Sequence, residues 1–173
     1  MYIVCGLPGT GKTTLCKKIE SELGYTYISD WQIFAENNIE IVDNLQDKIE
    51  VSLKHSSLIL DYINNIKDKN VVVDLEYSVS PQDFVNYKDI DANHIIFLGF
   101  TSVSEDLLYN LFKQNSKNEE IKDDELKNQI KFYKQMSEIY FNQCKELKLQ
   151  YVDINKSKKE IIDEIFNNIR KQI

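Results

Sequence analysis

The chain has 173 residues, of which 42% are hydrophobic, and this is enough for one globular domain with its own core over 1–173. Its net charge of −7 and isoelectric point near 4.9 disfavour a nucleic-acid partner, because that binding depends on neutralising phosphates. There is no run of about 18 apolar residues to span a membrane and no basic flank typical of a signal peptide, so we expect a cytoplasmic protein.

The first predicted elements are a strand, a glycine-rich turn and a helix. Residues 1–5 are continuously apolar, which is typical of a central parallel strand buried on both faces. In the next helix, over 12–23, apolar residues recur every four positions, and Gly24 then ends it.

The rest of the chain continues this alternation. The further strands are predicted at 25–29, 71–73, 94–99 and 149–152. Helical stretches are predicted at 31–36, about 43–67, 102–114, 124–147 and after Ser157, with capping boxes formed by Ser102 with Glu105 and by Ser157 with Glu160. Residues 115–124 are polar and charged with no apolar period, so we interpret them as a lid. Five strands separated by helices predict a parallel α/β sheet with right-handed crossovers.

A phosphate-binding loop lies between the first strand and the first helix. Residues 6–13, G-L-P-G-T-G-K-T, match every fixed position of the P-loop (Walker A) pattern G-x-x-x-x-G-K-S/T. Its glycines let successive N–H groups point inward around phosphate oxygens at a helix N-terminus. Lys12 would contact the β- and γ-phosphates of a nucleoside triphosphate, and the Thr13 hydroxyl would bind Mg²⁺. The predicted cofactor-binding residues here are Gly6, Pro8, Gly9, Thr10, Gly11, Lys12, Thr13 and Thr14.

With this loop, the short chain, the second strand ending in Ser29 and Asp30, and the charged lid, the sequence resembles the nucleotide and small-metabolite P-loop kinases. That group includes adenylate kinase, shikimate kinase and chloramphenicol phosphotransferase. The resemblance implies a P-loop NTPase three-layer sandwich, a five-stranded parallel sheet with helices on both faces and a short lid. It also implies ATP and Mg²⁺ as cofactors, a small-molecule acceptor, and a monomer or homodimer.

Two acidic residues at strand ends complete the predicted site. In the resembled group an acid just past the second strand contacts the acceptor hydroxyl, so Asp30 is the candidate base or substrate anchor, with Lys12 the other catalytic candidate. The alternative for Asp30 is an N-cap of the helix at 31–36. Asp74 ends an apolar run in the manner of a Walker B acid and is predicted, with Thr13, to hold Mg²⁺. Glu76 points to the same face and could assist.

The remaining ligand contacts are predicted from the same resemblance. Adenine commonly packs beside the loop after the fifth strand, which makes Asn155 a candidate. The only arginine is Arg170, three residues from the end, so the lid cations would have to be lysines such as Lys113, Lys117 and Lys122. Nucleotide kinases use several arginines to clamp two nucleotides. An acceptor without its own phosphate needs fewer, which favours a hydroxyl-bearing metabolite over a nucleoside monophosphate.

Other nucleotide-binding classes lack their partner motifs. A GTPase is disfavoured because Asn155-Lys156-Ser157-Lys158 lacks the aspartate of N-K-x-D and no D-x-x-G occurs. A motor or AAA-type ATPase is disfavoured because Leu75 stands where a catalytic glutamate would follow Asp74. Three alternatives stay open: a nucleoside monophosphate kinase, a non-catalytic nucleotide-binding regulator, and a polynucleotide 5′-kinase, which the acidic charge disfavours.

Overall fold

A computed structural model describes residues 1–39, 54–76, 78–87, 89–115 and 123–173. The predicted parallel sheet is confirmed: all four strand pairings are parallel and the order is β2-β3-β1-β4-β5. The strands are β1 Tyr2–Gly6, β2 Thr26–Ser29, β3 Val71–Leu75, β4 Ile95–Gly99 and β5 Gln150–Asp153. The helices are α1 Lys12–Leu23, α2 Asp30–Glu36, α3 Ser56–Asn64, α4 Glu105–Asn115, α5 Asp123–Leu147 and α6 Lys158–Gln172. Short 3₁₀ segments cover Pro81–Asn86 and Ala92–His94.

The three central strands form the middle layer of the core. Every residue of β1, β3 and β4 is buried, which explains why these strands, apart from Asp74 in β3, are apolar without alternation. Helices α1 and α6 pack together on one face, while α5 packs on β4 and β5 from the other, its Tyr140 ring lying 5.4 Å from that of Phe97. The sheet therefore lies between two helical layers, as the resemblance implied.

The strand order places a crevice at the carboxyl end of β1. After β1 the chain crosses to β2 and β3, which lie on one side of β1, whereas β4 pairs with β1 on its other side. The crossovers to the two sides therefore diverge at the carboxyl end of β1. Ligands of open α/β sheets bind where strand order reverses in this way. The residues that follow β1, β2 and β3 thus come together at one edge, which we call the carboxyl edge.

Both predicted serine capping boxes are wrong. Ser102 turns its side chain to Asp153, and Ser104 caps α4 instead, its Oγ accepting from the Leu107 N–H at 3.3 Å. Ser157 occupies the N-cap position of α6, but its side chain makes no capping hydrogen bond. In contrast, Ser80 and Asp83 do form a capping box at the 3₁₀ segment that begins with Pro81.

Parts of two predicted elements lie outside the described residues. Of the predicted helix at 43–67, the structure describes only the portion from residue 54, and of the predicted lid at 115–124 it does not describe 116–122. The lid lysines Lys117 and Lys122 also lie outside the described residues. In the part that is described, none of the helices combines the length and the apolar character needed to cross a membrane.

Candidate active site

The P-loop connects β1 directly to α1, and its own carbonyl oxygens hold its polar side chains. Lys12 is only 4% exposed, and its Nζ donates to the Leu7 carbonyl oxygen at 3.0 Å. The Thr10 hydroxyl donates to the same oxygen at 2.7 Å. A buried ammonium that is bonded to one carbonyl still has two N–H groups to offer phosphate oxygens. This is the arrangement expected of a preformed phosphate cradle.

Gly6 is the position where the loop cannot take a side chain. Its φ is +139°, and a Cβ atom built there would lie 2.1 Å from the Leu98 carbonyl oxygen of β4. Since Gly6 and Leu98 are register partners, a side chain at residue 6 would force the two strands apart. The first glycine of the motif is therefore required by packing as well as by the turn.

Three oxygen-bearing side chains meet at the start of α1. The Thr13 hydroxyl donates to Asp74 Oδ2 at 2.6 Å, and the Tyr27 hydroxyl donates to the same oxygen at 3.1 Å. The two predicted Mg²⁺ ligands, Thr13 and Asp74, are thus in direct contact, and their binding of Mg²⁺ stays a prediction. Burial, with the nearby Asp74 carboxylate, raises the pKa of Tyr27 well above its ordinary value, so the phenol keeps its proton and acts as a donor at neutral pH.

The surroundings of Asp74 fit a divalent cation. Asp74 is 5% exposed, it has no ion-pair partner in the described part of the chain, and its Oδ1 is buried without a hydrogen-bond partner there. Buried charges are normally paired or coordinate metals. The described residues contain no group of three or more metal-ligating side chains, which suits Mg²⁺, because Mg²⁺ takes one or two protein oxygens plus phosphates and water.

Asp30 lies beside Asp74 at the carboxyl edge but is held differently. It is 2% exposed, its Oδ1 accepts from the Trp31 N–H at 2.9 Å, and its Oδ2 accepts from the Glu76 N–H at 2.9 Å and the Ser78 hydroxyl at 3.0 Å. The alternative that Asp30 caps α2 is wrong, because Ser29 is the N-cap and its Oγ accepts from the Gln32 N–H.

The environment of Asp30 keeps its carboxyl group poised near neutral pH. Burial raises the pKa of Asp30 to about 6, although hydrogen bonds from Glu76 N–H and the Ser78 hydroxyl oppose the rise. The carboxylates of Glu76 and Asp74 add to it. A carboxylate can accept about four hydrogen bonds and three are made here, so one acceptor site of Oδ1 is left for a substrate hydroxyl.

Two lysines near the loop were missed by the sequence analysis. A Cβ atom on Gly11 would lie 3.1 Å from Lys158 Cδ, so the stem of Lys158 packs on the P-loop, and burial lowers the pKa of this lysine. Lys134 on α5 donates to the carbonyl oxygens of Phe100, Thr101 and Val103 at 3.0, 2.6 and 2.7 Å. These contacts join residues distant in sequence, and the local pattern holds no signal for them.

The predicted base-binding and lid residues have surface positions. Asn155 is exposed in the loop after β5, and its contact with adenine stays a prediction. Lys113, at the end of α4, donates to the Tyr109 hydroxyl at 2.8 Å and to Asp123 Oδ1 at 3.0 Å, which links α4 to the start of α5. Lys113 is therefore engaged at the base of the predicted lid.

Arg170 lies far from all of these groups. It belongs to the last turn of α6, and this end of the helix is fixed at the amino end of β1, where the Tyr2 hydroxyl donates to Gln172 Oε1 at 3.2 Å. A cavity of about 600 Å³ lined by Phe84 and Ile95 also lies at the amino ends of the strands, since Ile95 begins β4. Neither feature belongs to the candidate site.

Comparison with known families supports the assignment of the P-loop. A family model described as an AAA domain matches residues 5–131, which is more than half of the chain and includes the P-loop, Asp30 and Asp74. This match leaves the sequence argument against an AAA-type ATPase unchanged, because that argument rests on Leu75, which stands where a catalytic glutamate would follow Asp74.

Two relatives in sequence and one structural neighbour are named as kinases. A putative adenylate kinase from Thermococcus gammatolerans is 38% identical over 71 residues, 41% of this chain and 38% of that protein. A cytidylate kinase from Ignicoccus hospitalis is 37% identical over 54 residues, 31% of this chain and 31% of that protein, so this chain spans well under half the length of either relative. A shikimate kinase structure from Bacteroides thetaiotaomicron matches 98% of this chain and 97% of its own with a TM-score of 0.60 at 18% identity, which confirms the fold.

Proposed function

This chain belongs to the AAA domain family, and we propose that it is a P-loop kinase that transfers the γ-phosphate of ATP to a hydroxyl group of a small metabolite. The observation that carries the proposal is the contact between Thr13 and Asp74. It puts a hydroxyl and a buried carboxylate, which has no ion-pair partner among the residues that the structure describes, beside a complete P-loop, with a second carboxylate, Asp30, directly after β2.

Each of these groups has a role in phosphoryl transfer. Lys12 and the P-loop N–H groups bind the β- and γ-phosphates, and Thr13 and Asp74 would hold Mg²⁺, which neutralises developing charge on the transferred group. Asp30 accepts the hydrogen bond of the acceptor hydroxyl through Oδ1 and takes its proton as the new bond forms. With a pKa of about 6, Asp30 is mostly ionised at pH 7 and can act as the base.

The class of acceptor follows from the positive charges available. The one arginine of the sequence is at the amino end of the sheet, away from the site, so lysines must supply the fixed positive charge at the site. Clamping an acceptor phosphate is the usual task of bidentate arginines. A hydroxyl-bearing metabolite without a phosphate therefore suits the site best.

A nucleoside monophosphate kinase is the second candidate. It is favoured by the two relatives that match in sequence, which are named as an adenylate kinase and a cytidylate kinase. Under this alternative, lysines would have to contact the monophosphate as point charges. Transfer to a nucleoside monophosphate would decide for it.

The test combines a binding measurement with an acceptor panel. For the wild type, MgATP at about 100 times its dissociation constant should stabilise the fold by about 2.7 kcal/mol, and Lys12→Ala should lose this shift in melting temperature. ADP release is then measured with polyols and sugars, hydroxy acids and nucleoside monophosphates. Asp30→Asn should keep the MgATP shift and slow transfer by about 100-fold or more.

The outcomes separate the candidates. An unchanged MgATP shift in Lys12→Ala would refute the phosphate site, and full transfer activity in Asp30→Asn would remove Asp30 from the mechanism. If MgATP stabilises the wild type but none of the acceptors yields ADP, the chain is a non-catalytic nucleotide-binding protein instead.

A further inference from the structure

Tyr27 lies on the edge strand β2, away from both sequence motifs of the site. In the register of β2 with β3, Ser29 is opposite Asp74, and Tyr27 is opposite Val72. Side chains two residues apart in a strand share one face, so Tyr27 lies on the same face of the sheet as Ser29 and Asp74. Its long side chain is therefore able to run along the sheet toward the carboxyl edge.

The Tyr27 hydroxyl ends at the Asp74 carboxylate. It donates to Oδ2 at 3.1 Å, and Oδ2 is the oxygen that also accepts from the Thr13 hydroxyl at 2.6 Å. The other oxygen, Oδ1, is buried without a partner in the described part of the chain. The terminal torsion of an aspartate is broad, so two donors on Oδ2 determine which direction Oδ1 faces.

We propose that Tyr27 is a positioning residue of the Mg²⁺ site: its hydroxyl fixes the Asp74 carboxylate in the orientation in which this carboxylate would hold the metal. This inference rests on the proposed function. Groups that bond to a metal's carboxylate ligand set its orientation and contribute to affinity. If Tyr27 were needed only to fill space, phenylalanine could replace it, because the ring packs without the hydroxyl. The hydroxyl reaches a 5% exposed carboxylate that has no ion-pair partner among the described residues.

Tyr27→Phe tests the hydroxyl alone. The probe is Mn²⁺ added to the complex of the protein with ADP, with free Mn²⁺ measured by electron paramagnetic resonance. We expect the dissociation constant of Mn²⁺ to rise about tenfold, the lower end of the effect of removing a residue that orients a metal ligand. Binding of ADP in EDTA should not change, because the Tyr27 hydroxyl bonds to Asp74 and to no P-loop group among the described residues.

Tyr87→Phe is the matched control. The Tyr87 hydroxyl also donates to an aspartate, Asp61 Oδ1 at 3.0 Å, outside the site. The control should bind Mn²⁺ as the wild type does. If Tyr27→Phe also binds Mn²⁺ with wild-type affinity, the inference is wrong. If Tyr27→Phe weakens the binding of ADP in EDTA as much as it weakens the binding of Mn²⁺, the residue supports the fold in general, and the inference is equally wrong.

A double-mutant cycle with Asp74→Asn shows whether Tyr27 acts through Asp74. In the Asp74→Asn background, Tyr27→Phe should cause no further loss of Mn²⁺ affinity, whereas additive losses would overturn the inference. Failure of the proposed function would be seen separately in the wild type, which would then either not bind ADP or bind it without any acceptor-dependent release of ADP from ATP.

Discussion

The two halves of the candidate site hold their polar groups in opposite ways. In the P-loop half, residues 6–14 with Asp74, one carboxylate oxygen is buried without a partner in the described part of the chain, and the lysine is bonded to a single carbonyl. In the Asp30 half, which comprises Asp30, Glu76 and Ser78, both carboxylate oxygens accept hydrogen bonds. The first half is arranged for a ligand to complete it, while the second is already part of the fold. Changes in the two halves should therefore differ in how far they affect stability and binding.

The largest effect should come from Gly6→Ala in the P-loop half. Backbone strain at φ +139° and the overlap with the Leu98 carbonyl oxygen should lower the free energy of unfolding by roughly 4 kcal/mol. The matched control is Gly24→Ala, where φ is +73° and nothing lies within 4 Å of the added atom, and roughly 1 kcal/mol is expected. Urea denaturation measures both. Equal losses of unfolding free energy in the two variants would mean that β4 moves to accommodate the added atom. Packing would then not require glycine at residue 6.

A pH dependence of the folding stability should distinguish the Asp30 half from the P-loop half. The folded state raises the pKa of Asp30 from 3.8 to about 6, so between these values the folded protein binds a proton that the unfolded chain has lost. Stability from this group is fully present below pH 3.8 and is lost as the pH rises through about 6. The difference is about two pKa units, or about 3 kcal/mol.

Urea denaturation of the wild type and Asp30→Asn from pH 4 to pH 7.5 isolates this contribution, since the other acids are common to both proteins. The wild type should lose stability relative to the variant as the pH rises. Parallel curves for the two proteins would show that Asp30 is not buried as described. In a separate measurement, the transfer activity of the wild type should fall below about pH 6, because the base becomes protonated.

A smaller effect is expected at Lys134, which supports the turn behind the P-loop half. Lys134→Met keeps the length of the side chain but removes the donor from three carbonyl oxygens, which should cost about 2 kcal/mol. Lys131→Met, one helical turn earlier and exposed, should be close to neutral and serves as the control. Thermal unfolding compares the two, and equal melting temperatures would remove Lys134 from the support of this turn.

The sequence predicts what is local or what is continuously buried. The P-loop and its helix lie within one segment, and β1, β3 and β4 are apolar except for Asp74 because both faces are covered. The local pattern also singles out Thr13 and Asp74 as candidate Mg²⁺ ligands, and the pairing of β3 with β1 brings them into contact.

What the sequence does not predict are contacts chosen by the tertiary structure. Ser102 is in the right position for a capping box, yet it is bonded to Asp153, 51 residues away. The position of Tyr27 near Asp74 depends on the register of two strands separated by more than 40 residues, and no local pattern encodes it. Burial of Asp30 by the turn after β3, which raises its pKa, is likewise a property of the folded chain.

The remote position of the only arginine has a chemical consequence. Reagents that modify guanidinium groups have one target in this protein, Arg170, and it lies at the end of the sheet opposite the P-loop. Acylation of primary amines, by contrast, removes the charge of lysine, the residue type that includes the Lys12 that contacts phosphate in the proposed mechanism. Phenylglyoxal should therefore leave nucleotide binding intact, and acetic anhydride should abolish it.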